Sequence, residues 1–318
     1  MFDTMLLIVG LVALVKGADW LVMGASDLAS RYGVSPLVVG LTIVSFGTSM
    51  PEMLVTLIAG LRHNPDLAIG NIIGSNIANA LLVLGVAAII RPLPVKGSTV
   101  VSEIPFSLTA ALLVGFLANA ALFTDNPALT ISRYDGAILL SFFALFLLYV
   151  YKMSRTPTEL GKVSDAAMSV KSSLLYIVGG AAGLYVGGEW VVNAAIGIAT
   201  LLGVNDALIG LTVVAVGTSS PELFASVVAA RRGETDIAVG NVVGSNIFNL
   251  LWILGFTASI VELPFEDVNN TDLLLVIGAS VMILVALVSG RRGMIQRPHG
   301  IVFVILYGLY LTFVIGRG

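Results

Sequence analysis

Gly40 to Gly85 reads GLTIVSFGTSMPEMLVTLIAGLRHNPDLAIGNIIGSNIANALLVLG, and Gly210 to Gly255 reads GLTVVAVGTSSPELFASVVAARRGETDIAVGNVVGSNIFNLLWILG. The passages align without a gap at a constant separation of 170 residues, which also carries Gly17 and Trp20 onto Gly187 and Trp190. A chain written as one unit twice folds as two equivalent halves, and a site built from both lies where they meet. The polar residues within otherwise apolar segments fall at corresponding places in the two copies, so function is expected there.

Composition decides the solvent. Of 318 residues, 57% are hydrophobic and 11% charged, with a mean hydropathy of +1.00. That is too little polar surface for a water-soluble globule of this size. Apolar runs of spanning length, about 20 residues each, lie near 4–24, 36–61, 67–90, 100–123, 134–151, 173–202, 207–230, 236–261, 271–289 and 299–316. The expected fold class is all-α integral membrane, with ten transmembrane helices as two inverted five-helix repeats. The repeats cover 1–151 and 173–318, joined by a linker over 152–172 too short to fold with a core of its own. The first run follows Met1-Phe2-Asp3 without a basic leader and is interrupted by Lys16, so it is expected to be a retained helix.

The chain contains no cysteine, which excludes disulfides and thiolate metal chemistry. Its two histidines, His63 and His299, fall at expected helix ends and read as interfacial side chains. The acidic loop around Glu262, Glu266, Asp267 and Asp272 reads as solvated. No cofactor motif or nucleophile–base pair is present, so no enzyme is expected. The expected partners are inorganic cations and the lipid bilayer, with no nucleic acid and no protein partner implied.

Arginine and lysine concentrate in cytoplasmic loops. One orientation collects Arg31, Arg91, Lys96, Lys152, Arg155, Lys162, Lys171, Arg231, Arg232, Arg291, Arg292 and Arg297 on the cytoplasmic side. It leaves Arg62, Arg133 and Arg317 on the other. Both termini are therefore expected outside a plasma or inner cell membrane. Five spans per copy is an odd number, so the second copy enters upside down relative to the first.

Each copy interrupts an apolar span with a breaker: Gly47-Thr48-Ser49-Met50-Pro51-Glu52 and Gly217-Thr218-Ser219-Ser220-Pro221-Glu222. Glycine, hydroxyls and proline stop one helix and start another, with Thr or Ser placed to cap and Pro in the first turn. Such a break is expected to leave carbonyls, including those of Ser45 and Ala215, without helical partners. Just after it comes Glu52 or Glu222, and an ionisable group at bilayer depth costs roughly 2.5 to 3.5 kcal/mol or more unless compensated.

Downstream, Gly70-Asn71 to Asn79 matches Gly240-Asn241 to Asn249. Ser75 with Asn79, and Ser245 with Asn249, are spaced to share a helix face. Gly70, Gly74, Gly240 and Gly244 read as packing glycines. Asn71, Asn76, Asn241 and Asn246 read equally well as ligands or as packing hydrogen bonds. The donors are all oxygen: two carboxylates, hydroxyls, amides and freed carbonyls. That set suits hard cations such as Ca2+, Mg2+, Mn2+ and Na+, and two carboxylates balance one divalent ion.

With GTSxPE followed by GNxxGSNxxN in both copies, the chain resembles the cation/calcium antiporter superfamily, most closely its sodium/calcium exchanger branch. The resemblance covers both diagnostic repeats and the spacing of the spans. It implies cation ligands at Thr48, Ser49, Glu52, Ser75 and Asn79, and at Thr218, Ser219, Glu222, Ser245 and Asn249, with backbone oxygens of Ser45 and Ala215. It further implies exchange of Na+ for Ca2+ by alternating access, with no cofactor. Asn249 stands where some relatives carry Asp, which weighs against potassium coupling. Ser45 stands where many carry Ala, its hydroxyl either an extra ligand or a backbone bond. The Thr-Ser pairs favour sodium over the proton branch. A proton-coupled Ca2+ or Mg2+ exchanger of the same fold and a carboxylate-lined cation channel are the alternative readings. Asp19 and Glu189, each beside a Trp, read as interfacial anchors.

Overall fold

The computed structural model describes residues 2–95, 99, 102–120, 129–155, 168–201, 215–289 and 291–317. Lys96, much of the linker including Lys162, and the start of the seventh apolar run lie outside the described residues. Where they are described, the residues of the apolar runs fall largely on helices. In the first half these are α1 (Phe2–Tyr32), the pair α2 (Pro36–Thr48) and α3 (Met50–Leu61), α4 (Pro65–Ile90), α5 (Glu103–Ala118) and α6 (Arg133–Ser154). The second half has α7 (Val170–Leu201), the pair α8 (Ala215–Thr218) and α9 (Ser220–Arg232), α10 (Thr235–Ile260), α11 (Asp267–Val288) and α12 (Arg297–Arg317). Among the described residues, seven helices are individually long and apolar enough to cross a membrane, and α2 with α3 makes an eighth when the bent pair is counted as one span. This is a multi-pass membrane protein.

Local chemistry sets several boundaries. Ser35 accepts from the Val38 N–H at 3.3 Å and Pro36 opens α2; Asn64 accepts from the Leu67 N–H at 3.1 Å and Pro65 opens α4. Ser132 and Asp135 form a reciprocal capping box on α6. Among the described residues three stretches widen into π-helical turns, Gly40–Val44, Ala78–Val83 and Phe248–Ile253. The last two are repeat equivalents, and Asn79 and Asn249 are their second residues. Such wide turns occur frequently at functional sites.

Helices α4 and α10 form the centre, with 78% and 94% of their spanning windows buried, against 28% for α6 and 22% for α12. Equivalent helices α1 and α7 pack antiparallel: Gly10 meets Gly187, Gly17 meets Gly180 and Leu184, and Gly24 meets Ser173. A Cβ on Gly17 would stand 2.7 Å from the Leu184 nitrogen, so the two backbones touch and only glycine fits. That antiparallel sense supports opposite insertion of the two copies.

Four two-residue strands among the described residues are a small departure from an all-helical chain. β1 (Leu93–Pro94) pairs with β4 (Met294–Ile295), and β2 (Thr130–Ile131) with β3 (Leu263–Pro264), both antiparallel. Each ribbon joins a loop of one repeat to a loop of the other. Both pairings unite loops that the charge asymmetry assigns to the same side.

Candidate cation site

The two breaks are near copies in backbone geometry. Ser49 lies at φ −83°, ψ 9° between α2 and α3, and Ser219 at φ −84°, ψ 5° between α8 and α9; α2 and α3 bend by 49°. Neither serine side chain caps the helix it precedes, contrary to the sequence expectation. Ser49 instead turns across the repeat boundary and donates to Glu222 Oε1 at 3.0 Å. The expectation of an orphaned Ser45 carbonyl is also corrected, because the Ser49 N–H donates to it at 2.9 Å. The carbonyls that proline deprives are four residues upstream, at Gly47 and Gly217. Ser220 donates its hydroxyl to Gly217 O at 2.7 Å, and Met50 at the matching position has none to give. A carbonyl has two lone pairs, and the Thr48 hydroxyl lies within reach of the second one of Ser45 O at 3.3 Å. Ala215 opens α8, directly after residues outside the description.

Glu52 and Glu222 are 1% and 0% exposed. Glu52 Oε1 accepts from Ser75 Oγ at a long 3.5 Å. The second oxygen of each carboxylate has no hydrogen-bond partner among the described residues, and neither do the amide oxygen and nitrogen of Asn79 and of Asn249 or Ser219 Oγ. All of these are buried, as are Thr48 and Thr218. A buried polar group left unpaired costs about 1–3 kcal/mol, so a cluster of this size calls for a compensating group. Among the described residues no set of three or more His, Cys, Asp or Glu side chains comes together. The charge of the cluster is therefore that of its two glutamates, and its remaining donors are neutral oxygens, a set suited to a hard cation.

The residues left open by sequence hydrogen-bond in the surrounding shell, while Asn76 Oδ1 and Asn246 Oδ1 are buried with no partner among the described residues. The Ser45 hydroxyl bonds backbone, donating within reach of Gly40 O at 2.6 Å and Asn241 O at 3.1 Å. Asn71 donates to Thr56 Oγ1 at 3.0 Å and Glu52 O at 3.3 Å; Asn241 does the same to Ser226 Oγ at 2.9 Å and Glu222 O at 3.4 Å. Asn76 donates to Ile72 O at 2.7 Å, and Asn246 to Asn76 O at 3.5 Å. Gly240 and Gly244 admit the π turn of α2, whose Leu37 O and Leu41 Cα would lie 2.8 and 2.9 Å from their added Cβ atoms. Their counterparts Gly70 and Gly74 meet nothing closer than Tyr310 Oη at 4.0 Å among the described residues, and Gly210, the equivalent of Gly40, lies outside them.

Sequence reasoning missed an ion pair. Arg232 at the end of α9 holds Asp19 of α1, with Nε and Nη2 donating to Oδ1 at 2.9 and 2.5 Å. The repeat offset carries the same signs of charge to Glu189 and Arg62, a signal that was available. Trp20, meanwhile, packs edge-on against Tyr176 at 6.0 Å. His299 accepts from the Gln296 N–H at 3.2 Å and stays at a helix start, as expected.

The family model described as sodium/calcium exchanger protein matches residues 2–152 and 172–316. Inner membrane protein YrbG of Escherichia coli (strain K12) is 37% identical over 324 residues, covering 97% of this chain and 94% of its own. Sodium/calcium exchanger MaX1 of Methanosarcina acetivorans is 32% identical over 346 residues, covering 97% of each. The solved structure of the sodium-calcium exchanger NCX_Mj soaked with 10 mM Na+ and zero Ca2+ superposes with a TM-score of 0.82 at 34% identity, covering 98% of both chains.

Proposed function

The chain belongs to the sodium/calcium exchanger protein family, and on that premise we propose that it is a secondary antiporter exchanging Na+ for Ca2+ at the centre built by its two repeats. The observation that carries this reading is the buried pair Glu52 and Glu222, each with one unpaired oxygen, set among the unpaired amides of Asn79 and Asn249. Two carboxylates balance one Ca2+ or two Na+, so the centre stays near neutral with either cargo. Thr48, Ser49, Ser75, Thr218, Ser219 and Ser245 supply neutral oxygens, with the backbone oxygens of Ser45 and Ala215. Calcium takes six to eight such ligands.

Access alternates between the two sides as the repeats exchange conformations about this centre. The antiparallel packing of α1 on α7 and the breaks at Ser49 and Ser219 support that reading. The termini face outside and the 152–172 linker faces the cytoplasm, in accord with the charge asymmetry. The deciding measurement is calcium-45 uptake into sodium-loaded proteoliposomes. Uptake that requires the outward sodium gradient is expected. Uptake driven equally by a proton gradient overturns sodium coupling, and uptake without any counter-ion gradient points to a channel.

A further inference from the structure

We propose that Asn241 is a positioning residue of the cation site: it takes the proton of the Thr48 hydroxyl so that Thr48 and the Ser45 carbonyl both turn lone pairs toward the ion. This rests on the exchanger reading above and adds a residue that is not itself a ligand.

The argument starts from the single proton on Thr48 Oγ1. Three acceptors compete for it: Asn241 Oδ1 at 3.1 Å, Ser45 O at 3.3 Å and the Glu222 carboxylate, itself a ligand. The second choice would occupy the lone pair of Ser45 O that its bond from the Ser49 N–H leaves open. A hydroxyl that binds a cation must point its hydrogen elsewhere, and among the described residues the acceptor in reach that does not sacrifice a ligand is Asn241. The orientation of the Asn241 amide is itself fixed. Its nitrogen donates to Ser226 Oγ and Glu222 O, which leaves Oδ1 facing Thr48, and the residue is fully buried. One side chain thereby ties the hydroxyl of the first repeat to the glutamate turn of the second. Groups that orient a metal ligand from behind typically govern about 10–100-fold of ion affinity.

The test is a double-mutant cycle on the full chain with Asn241→Leu, Thr48→Val and both together. It is read by calcium titration calorimetry of the purified protein and by the calcium dependence of exchange. Asn241→Leu is expected to raise the half-saturating calcium concentration about 10-fold or more while changing the maximal rate much less. In the Thr48→Val background the same substitution is expected to add little, because the hydroxyl through which Asn241 acts is gone. A full effect in both backgrounds overturns the proposal and leaves Asn241 as a support of the Glu222 turn alone. Wild-type calcium binding by Thr48→Val also overturns it. Should Asn241→Leu fail to reach the membrane, the smaller Asn241→Ser takes its place in the cycle. A wild type that binds calcium but shows no sodium-driven exchange refutes the exchanger reading, and the calorimetric cycle still decides the role of Asn241.

Discussion

Ser49 Oγ donates to Glu222 Oε1 at 3.0 Å across 173 residues of chain, while its repeat equivalent Ser219 has no partner for its hydroxyl among the described residues. The two halves thus match in backbone and differ in bonding. The carboxylate of one copy is held by a hydroxyl of the other.

That asymmetry separates two otherwise equivalent alanine substitutions. Without calcium, Ser49→Ala is expected to destabilise the protein by about 1–3 kcal/mol, since it strips a hydrogen bond from a buried carboxylate. Ser219→Ala is expected to cost little under the same conditions. Both should weaken calcium binding. Thermal unfolding in detergent, with chelator and with saturating calcium, measures each effect; equal loss from both variants in chelator contradicts the asymmetry.

Glu52→Gln and Glu222→Gln are each expected to abolish calcium exchange while leaving inserted, folded protein. A divalent ion held by one counter-charge in a low-dielectric site keeps a net positive charge that burial makes costly. Calcium-45 uptake by purified, reconstituted variants checks this, with circular dichroism as the control for folding. Near-normal uptake by either variant would remove the two-glutamate centre.

At the contact between α1 and α7, Gly17→Ala is expected to destabilise by about 1–3 kcal/mol, because the added methyl meets backbone that cannot move aside. Gly308→Ala on α12 is the control. Nothing lies within 4 Å of its added Cβ among the described residues, so it should be neutral or slightly stabilising. Comparison of melting temperatures tests the pair, and equal behaviour of the two variants counts against backbone contact at Gly17.

Arg232→Gln breaks the ion pair with Asp19, whose side chains are 36% and 35% exposed. Exposed pairs contribute about 0–1 kcal/mol and are screened by salt. The expected loss of stability is therefore small at low salt and vanishes at high salt. A loss that persists in concentrated salt would show that Arg232 is held by more than charge.

Topology is open to direct chemistry, since the chain has no cysteine. A single cysteine replacing the highly exposed Tyr134, in the first turn of α6, is expected to react with an impermeant maleimide on intact cells. One replacing Ser164, in the linker outside the described residues, is expected to react only after permeabilisation. The reverse pattern inverts the orientation.

Much of this arrangement was legible because duplication marks itself. The constant offset between Glu52 and Glu222 and the Gly-hydroxyl-Pro breakers pointed to matching helix breaks, found at Ser49 and Ser219. What stayed hidden depends on partners far apart in sequence. Nothing local tells Ser49 to leave its cap position for Glu222, or the Ser45 hydroxyl to choose Gly40 O. The π turns containing Asn79 and Asn249 carry no sequence signature, and two-residue strands such as Leu93–Pro94 are too short to show a period. The recurrence of glycine at 10, 17 and 24 was visible, yet only the structure shows what it faces.

That last feature has a genetic consequence. Glycine has no smaller neighbour in the code, so every missense change at Gly10, Gly17, Gly180 or Gly187 enlarges a residue whose added Cβ would press on the opposite backbone. A saturation screen scored by ion exchange alone would rank these chemically inert positions beside Glu52 and Glu222. Parallel readout of protein abundance is what would part them: the glycine variants should be depleted from the membrane, the more so the larger the new side chain, and the glutamate variants should remain there, silent.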